Sequence, residues 1–526
     1  MAVRGTPLSD EELARLEADS TALPELLEQW LESDAFGAEM RDLHAAALWT
    51  RVDTDFEFPP LGPLADTEGQ AIVHSVGEGP LAVIEEVIRS NLPYSEVLAV
   101  DWTMTDAVLA KVYGLPFDPK GPTWQRAAWP DGRPAAGLLS DNGTWLRYRS
   151  SDTNFQRERA NAVSRLFLCQ DFASADLPVL SDGGVFTTGG LGPLNEPACA
   201  GCHNQIDPLG SYFWGFRRYI LPSEVRDAYE RGCGGRDAES CYPFVYWVPE
   251  NVNQWEALGM PAPALFGVPG GDLSDLGRAI ADHPAFPTCT AKHFGSWLTQ
   301  TDPEDLPADR VAAWALAFEE SGRSAKALVT AIVLDESFAA LSPNAAEWVP
   351  GLQHTRPEQW ARTVEALTGF RFLADPTAAA CEEGRVTCWG EVDLLTTDRY
   401  GFRMLLGGIS GYEVTEPTLG PTPTRTLALE RAAWEAAGTI VASDLPLPAA
   451  ERRLFGAGVD AVDEASVRAE LVHLHRMILG MAAGPRDVEV DAAYDLWFHE
   501  ILRANPEDAW AAVVAGLLLH PAMVSY

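Results

Sequence analysis

Apolar residues recur every three or four positions along most of this chain, which is the spacing that places them on one face of an α-helix. Strand-like alternation is rare and short. Four segments share a further pattern, in which an amphipathic helix is followed by a polar break and then an apolar residue: 23–36, 275–286, 324–338 and 509–523. This pattern favours stacked helical pairs, although unrelated helical hairpins have the same features. We predict a mainly α protein with several domains.

Several helix ends are marked by their residue types. Ser9 stands three positions before Glu12, and Thr355 stands three positions before Glu358. Both pairs match a capping box, in which two side chains bond to backbone N–H groups of the first helical turn. Gly369 suits the end of the second helix because glycine adopts left-handed backbone conformations freely. Segments rich in Gly, Pro and short polar residues predict loops or connectors: 115–145, 181–197 and 414–425.

Charge and hydropathy exclude some partners. The 526 residues include 76 acidic and 38 basic side chains, giving a formal charge of -38, so nucleic acid and anionic lipid are not expected partners. A solvated acidic surface explains this charge more simply than a docking patch for a basic partner. The longest apolar run, 509–519, contains Trp510 and Gly516 and is too short to span a bilayer.

The strongest chemical motif is C-A-G-C-H at residues 199–203. Two thiols three positions apart on a helix can each form a thioether with a haem vinyl group, and the adjacent imidazole can then reach the iron. A zinc site would need a second closely spaced ligand pair, which the sequence lacks. A thioredoxin-like pair would follow a strand, whereas this pair follows a Gly/Pro-rich loop. We predict one covalent haem c on Cys199 and Cys202, with His203 as an axial iron ligand.

The residues around this motif, NEPACAGCHNQIDPLGSYFWGF at 195–216, resemble the haem-binding segment of planctomycete-type cytochrome c-like proteins. In that family C-x-x-C-H is followed after two residues by I-D-P-[LI]-G. Further segments are similar to other parts of the same multi-domain proteins: 101–115, 164–172, 275–298 and 356–369. The chain departs from the family after Gly210, where the family more often has a helix reading F-A-L-E-x-F. The resemblance implies an exported protein with a haem-c domain between helical domains, and it names no substrate.

The resemblance and the helical pattern together predict four parts of the chain. They are an N-terminal helical domain, a cytochrome c-like haem domain, a helical hairpin that closes the haem domain, and a C-terminal helical domain: 1–155, 156–300, 301–345 and 346–526.

Residues after the motif have the right chemistry to surround a haem. Pro208 or one of its neighbours is expected to accept the second ring N–H of His203, as partners of metal-bound histidines do. Tyr212 and Trp214 are candidates to line the macrocycle, and Arg217 is a candidate to pair with a propionate. Ordinary core aromatics and a surface arginine are the simpler interpretation for each of these three residues taken alone.

The sixth iron ligand is open at this stage. Met260, in a Met-Pro context 57 residues after His203, is the first candidate, and a thioether ligand would raise the reduction potential. His293, His283 and Met104 are the other candidates. An open position would instead allow binding of peroxide or another small ligand.

Eight cysteines are present, of which two are assigned to haem. Proximity suggests three further pairs: Cys233 with Cys241, Cys381 with Cys388, and the remaining Cys169 with Cys289. Six cysteines allow fifteen pairings, and free buried thiols are an alternative. Since c-type haem is attached after export, we expect a periplasmic or extracellular location, where disulfides persist. The first residues, MAVRGTPLSDEELARL, lack the apolar core of a signal peptide, so we expect a leader that was removed or a truncated start.

These observations favour an exported c-type cytochrome that transfers single electrons to or from a redox partner protein or a small molecule. A haem-c enzyme of the peroxidase or dehydrogenase type is the first alternative, and no catalytic residue is assigned for it. A helical interaction protein with a structural haem is the second alternative. The sequence does not indicate an oligomeric state.

Overall fold

The computed structural model describes residues 1–51, 64, 67, 69–148, 154–174, 197–217, 246–338, 348, 350–374, 392–395, 397, 401–411, 413–418 and 420–526. Within these residues the chain forms nineteen α-helices, so the mainly α prediction is confirmed. In chain order, α1 to α19 are Asp10–Ala18, Leu23–Leu31, Asp34–Leu48, Gly69–Arg89, Ala107–Tyr113, Arg157–Leu168, Pro197–Gly210, Gln254–Ala257, Leu273–Ala281, Ala285–Thr299, Ala308–Glu320, Ala325–Val333, Pro357–Thr368, Phe402–Leu405, Pro423–Asp444, Glu464–Leu479, Val488–Ile501, Pro506–Leu518 and Pro521–Val524.

The strands in the described part of the chain are short and form four separate antiparallel pairs. The pairs are β1 (Thr103–Thr105) with β2 (Gln125–Ala127), β3 (Phe216–Arg217) with β4 (Tyr246–Trp247), β5 (Ala264–Leu265) with β6 (Val268–Pro269), and β7 (Leu373–Ala374) with β8 (Val392–Asp393). Sheets this small cannot bury a core of their own, so helix packing organises the molecule.

The two predicted capping boxes have different outcomes. Helix α1 begins as predicted, because Ser9 accepts from the Glu12 backbone N–H at 3.2 Å and Glu12 accepts from that of Ser9 at 2.8 Å. The prediction for Thr355 is wrong. Pro357 at the first helical position starts α13 one residue later, and the Thr355 hydroxyl donates to the Met523 carbonyl at 3.0 Å instead. Gly369 ends α13 in the left-handed conformation, as predicted.

Buried apolar side chains form two cores. The first takes residues from Ala2 to Val333, and the second from Trp360 to Met523. The first core thus includes side chains from all three segments predicted as 1–155, 156–300 and 301–345. The second lies wholly inside the predicted C-terminal domain, 346–526.

A buried ionic network joins the two cores. Glu39 on α3 is fully buried and accepts from Gln359 at 2.8 Å and from Arg356 at 3.3 Å, and it also pairs with Arg362. Arg362 extends the network to Asp42. Because carboxylates and guanidinium groups are both present, the charges compensate one another away from water.

None of the helices in the described ranges combines the length and apolar character that a bilayer span requires. The C-terminal apolar run contributes to the second core instead: Trp510, Val513, Val514 and Leu518 on α18 are buried there. This agrees with the expectation of no membrane span.

Candidate functional site

Helix α7 carries the C-A-G-C-H motif and has two distinct parts. Beyond the motif, Ile206, Asp207, Leu209 and Gly210 are buried, and α7 packs against α6 through this region. Gly210 permits the approach, since a Cβ there would lie 3.1 Å from the carbonyl oxygen of residue 155. The fold therefore holds the second half of α7 firmly.

The first half of α7 presents its reactive groups on a less covered surface. Cys199 and Cys202 are free thiols of intermediate exposure, and the His203 side chain is 21% exposed. The two thiols and the imidazole thus lie within about one helical turn of each other.

The His203 ring is oriented by a buried carboxylate. Its Nδ1–H donates to Asp207 Oδ1 at 3.1 Å, one helical turn further on. The prediction named Pro208 or a neighbour as this acceptor, and the neighbour Asp207 takes the role. Since Nδ1 is engaged, Nε2 is the nitrogen available to a ligand or metal ion. No described residue makes a hydrogen bond with Nε2.

Asp207 is itself held by an arginine from the adjacent helix. Arg157 at the start of α6 donates from Nε to Oδ1 at 2.5 Å and from Nη2 to Oδ2 at 3.0 Å. Burial alone would raise the pKa of Asp207, but hydrogen bonds from His203 and Arg157 and the charge of Arg157 hold it below its ordinary value. The carboxylate is therefore charged, fully buried and paired on both oxygens.

The comparisons with known proteins add no relative. No protein-family model, curated protein or solved structure matches this chain. The relationship that the motif and its flanks indicate therefore stays a prediction.

The aromatic residues after α7 have different surroundings. Tyr212 is buried, and its hydroxyl oxygen would lie 2.4 Å from a Cβ added at Gly270. Burial and the nearby Asp275 raise the pKa of Tyr212 to about 12. Trp214 is about nine-tenths buried and lies beside Phe155 with ring centroids 5.9 Å apart. Its indole Nε1 is buried, and no described residue accepts a hydrogen bond from it.

Arg217 lies in β3, where its backbone pairs with Tyr246. Its side chain is outside the described part of the structure, so the predicted propionate contact stays a prediction.

The four candidates for a sixth ligand lie in different settings. Met260 is 5% exposed and follows α8, and the next residue, Pro261, accepts a hydrogen bond from Ser211 at the end of α7 at 2.7 Å. His293 Nε2 faces the Cys169 sulfur at 3.7 Å. His283 Nδ1 accepts from the backbone N–H of Ala285, the first residue of α10, at 3.1 Å. Met104 is a buried core residue of β1. Among them, Met260 belongs to a loop that is tied to the end of α7 and makes no competing polar contact in the described residues.

The predicted pair Cys169 and Cys289 forms a disulfide that joins the end of α6 to α10. Cys169 is exposed, whereas Cys289 is 2% exposed. The other two predicted pairs, Cys233 with Cys241 and Cys381 with Cys388, lie outside the described residues.

Sequence reasoning missed two functional candidates, Asp207 as the specific acceptor and Arg157 as its partner. A signal existed for the first, because His203 and Asp207 are four positions apart and side chains at that spacing meet on a helix. No comparable signal existed for Arg157, which is 50 positions away and reaches the site only through the packing of α6 on α7.

Proposed function

We propose that this chain is a c-type cytochrome that carries one haem c and transfers electrons. Cys199 and Cys202 would hold the haem through two thioether bonds, and His203 Nε2 would bind its iron. The observation that carries this proposal is the placement of two free thiols beside an imidazole whose other nitrogen is anchored to Asp207. Metal-binding histidines generally have such a second partner, which sets the tautomer and the ring orientation.

One further observation is consistent with a bound haem. Haem carries propionate carboxylates, and the buried Trp214 Nε1–H is a donor without an acceptor in the described residues. Buried donors in native proteins usually have a partner, so an acceptor supplied by a bound group would explain this one.

Met260 is the residue that we propose as the sixth ligand. Its buried side chain and the Ser211–Pro261 hydrogen bond support this assignment. A thioether ligand from Met260 would favour electron transfer, because it would fill the coordination position that a substrate would need. Replacing Met260 by Ala should abolish the weak near-infrared absorption of methionine-ligated ferric haem. A band that persists in this variant would assign the sixth position to another methionine, whereas wild-type protein that lacks the band and has high-spin ferric haem would favour the haem-enzyme alternative.

Location follows from the same chemistry. Covalent haem attachment takes place outside the cytoplasm, and the Cys169–Cys289 disulfide is consistent with an oxidising compartment. We therefore propose an exported protein whose electron donor or acceptor is a redox protein or a small molecule.

The decisive experiment is expression together with an exported haem-attachment system, followed by a pyridine haemochrome spectrum and intact mass. Each thioether forms by addition of a cysteine S–H across a vinyl double bond, so no atoms are lost and the protein mass should rise by one whole haem. Replacing Cys199 and Cys202 together by Ala should abolish covalent haem. Replacing Arg431 and Glu435, an exposed ion pair on α15, together by Gln should leave the haem attached. Colourless wild-type protein with alkylatable thiols at Cys199 and Cys202 would refute the proposal.

A further inference from the structure

His203, Asp207 and Arg157 are connected by hydrogen bonds through the buried carboxylate of Asp207. His203 donates to Asp207 Oδ1, and the same oxygen accepts from Arg157 Nε. Asp207 is fully buried, and the Arg157 side chain is 13% exposed. Buried interactions of this kind are weakly screened by solvent, so a change in either charge will be felt at the imidazole.

We propose that Asp207 is a positioning residue that lowers the reduction potential of the haem site by making His203 a stronger electron donor, and that Arg157 limits this effect. This inference rests on the proposed haem function. Neither residue would touch the haem in this arrangement, because each acts through the His203 ring.

The physical reason lies in the Nδ1–H···Oδ1 hydrogen bond. A carboxylate that accepts this proton shifts electron density into the ring and makes Nε2 more basic. A more basic donor stabilises ferric iron more than ferrous iron, because the ferric state has the higher charge. The carboxylate therefore favours the oxidised state, and this effect opposes the rise in potential that methionine ligation by Met260 would cause.

Arg157 acts in the opposite direction. Its Nε occupies Oδ1, the same oxygen to which His203 donates, and its positive charge compensates that of the carboxylate. Removing the guanidinium would leave Oδ1 to the imidazole alone and would leave the negative charge of Asp207 uncompensated. The structure thus predicts shifts of opposite sign for the two members of one ion pair.

The test is a potentiometric titration of the haem-loaded protein and its variants. Asp207→Asn should raise the midpoint potential, since an amide oxygen is a weaker acceptor for the His203 Nδ1–H and the negative charge of the carboxylate is removed. We expect the ferric-to-ferrous equilibrium to change by about tenfold, which is about 60 mV for one electron. Arg157→Gln should lower the potential, and the double variant should lie between the single variants. Arg431→Gln and Glu435→Gln, which break an exposed ion pair on α15, serve as controls for a general change in charge.

The outcomes separate the possible explanations. Opposite shifts for Asp207→Asn and Arg157→Gln support the inference. Shifts of the midpoint potential in the same direction would indicate that the pair only holds α7 against α6. Shifts no larger than those of the α15 controls would indicate no electronic role. Either result overturns the inference. If Asp207→Asn does not fold or load haem, Arg157→Gln decides alone, because its potential must fall. Haem content, measured first in every sample, distinguishes failure of this inference from failure of haem attachment in the wild type.

Discussion

Removal of the Cys169–Cys289 disulfide should strongly destabilise the first core. The two cysteines are 120 positions apart, and the loop that they close contains α7. A crosslink lowers the conformational entropy of the unfolded chain, and for a loop of this length the chain-entropy relation gives about 5 kcal/mol in the free energy of unfolding. Replacing both residues by Ser avoids a stray thiol and should lose most of that stabilisation.

Urea titration read by hydrogen–deuterium exchange and mass spectrometry can follow the two cores separately. The expected loss should appear in α6 and α10 of the first core. Helices α15 and α16 belong to the second core, outside the closed loop, and provide an internal control with a much smaller change. Because a thioether is not cleaved by thiol reductants, the haem attachment itself should survive reducing conditions that open the disulfide.

A loss below about 1 kcal/mol in α6 and α10 would refute the reasoning, because the entropy of so long a loop cannot be that small. Alkylation of Cys169 and Cys289 in unreduced, denatured wild-type protein would refute it more directly. The first result would indicate that the unfolded chain is already restricted near these cysteines. The second would indicate that the bond does not form in the protein as produced.

Three further predictions concern buried polar groups, and each is read in the free energy of unfolding. Glu39→Ala should cost about 3–5 kcal/mol, because it removes the carboxylate that pairs with Arg356 and leaves Asp42 as the only described carboxylate paired with Arg362. A cost below about 1 kcal/mol would contradict the role of Glu39 in this network. The Asp444 carboxylate accepts from three consecutive backbone N–H groups, 453–455. Asp444→Ala removes this acceptor and should cost about 3 kcal/mol, whereas Asp444→Asn should cost less. Equal costs for the two variants would contradict the assignment of Asp444 as this acceptor. Burial lowers the pKa of His44 to about 4, so near pH 6.5 the unfolded state begins to bind a proton at His44 while the folded state does not. His44 should therefore reduce the free energy of unfolding by up to about 3 kcal/mol as the pH falls from 6.5 to 4. The variant His44→Gln should have a shallower dependence across that range, and an unchanged slope would contradict the buried neutral state.

The helical content and many element ends follow from local patterns. Ser9 and Glu12 act within one turn, so their capping box depends on little beyond the local sequence. Thr355 illustrates where a local rule fails. Its hydroxyl is bonded to the carbonyl of Met523, which is 168 positions away, and the helix then starts from the geometry of Pro357. Tertiary contacts of this range have no signature in a short window of sequence.

The candidate site likewise combines features set by the local sequence with features set by tertiary packing. The closeness of the two thiols and the imidazole was predictable, because residues 199, 202 and 203 fall within about one turn of the same helix. The acceptor at Asp207 was within reach of the helical i, i+4 rule. Arg157 was not, because its role depends on how α6 and α7 pack, and the pairing of Glu39 with residues more than 300 positions away depends likewise on the assembly of two cores.

The two described cysteine pairs would need different redox states in the same compartment. Cys199 and Cys202 must be reduced thiols when haem is attached, whereas Cys169 and Cys289 are oxidised. Gln170, next to Cys169, donates to Gln205 on α7 at 3.3 Å, so the disulfide lies close to the helix that carries the free pair. A free Cys169 thiolate would be exposed there and could attack a Cys199–Cys202 disulfide, which would form a mixed disulfide with one of these sulfurs and release the other as a thiolate. The bond of Cys169 to the buried Cys289 removes that competitor, so under our proposal the disulfide would serve haem attachment as well as the stability of the fold.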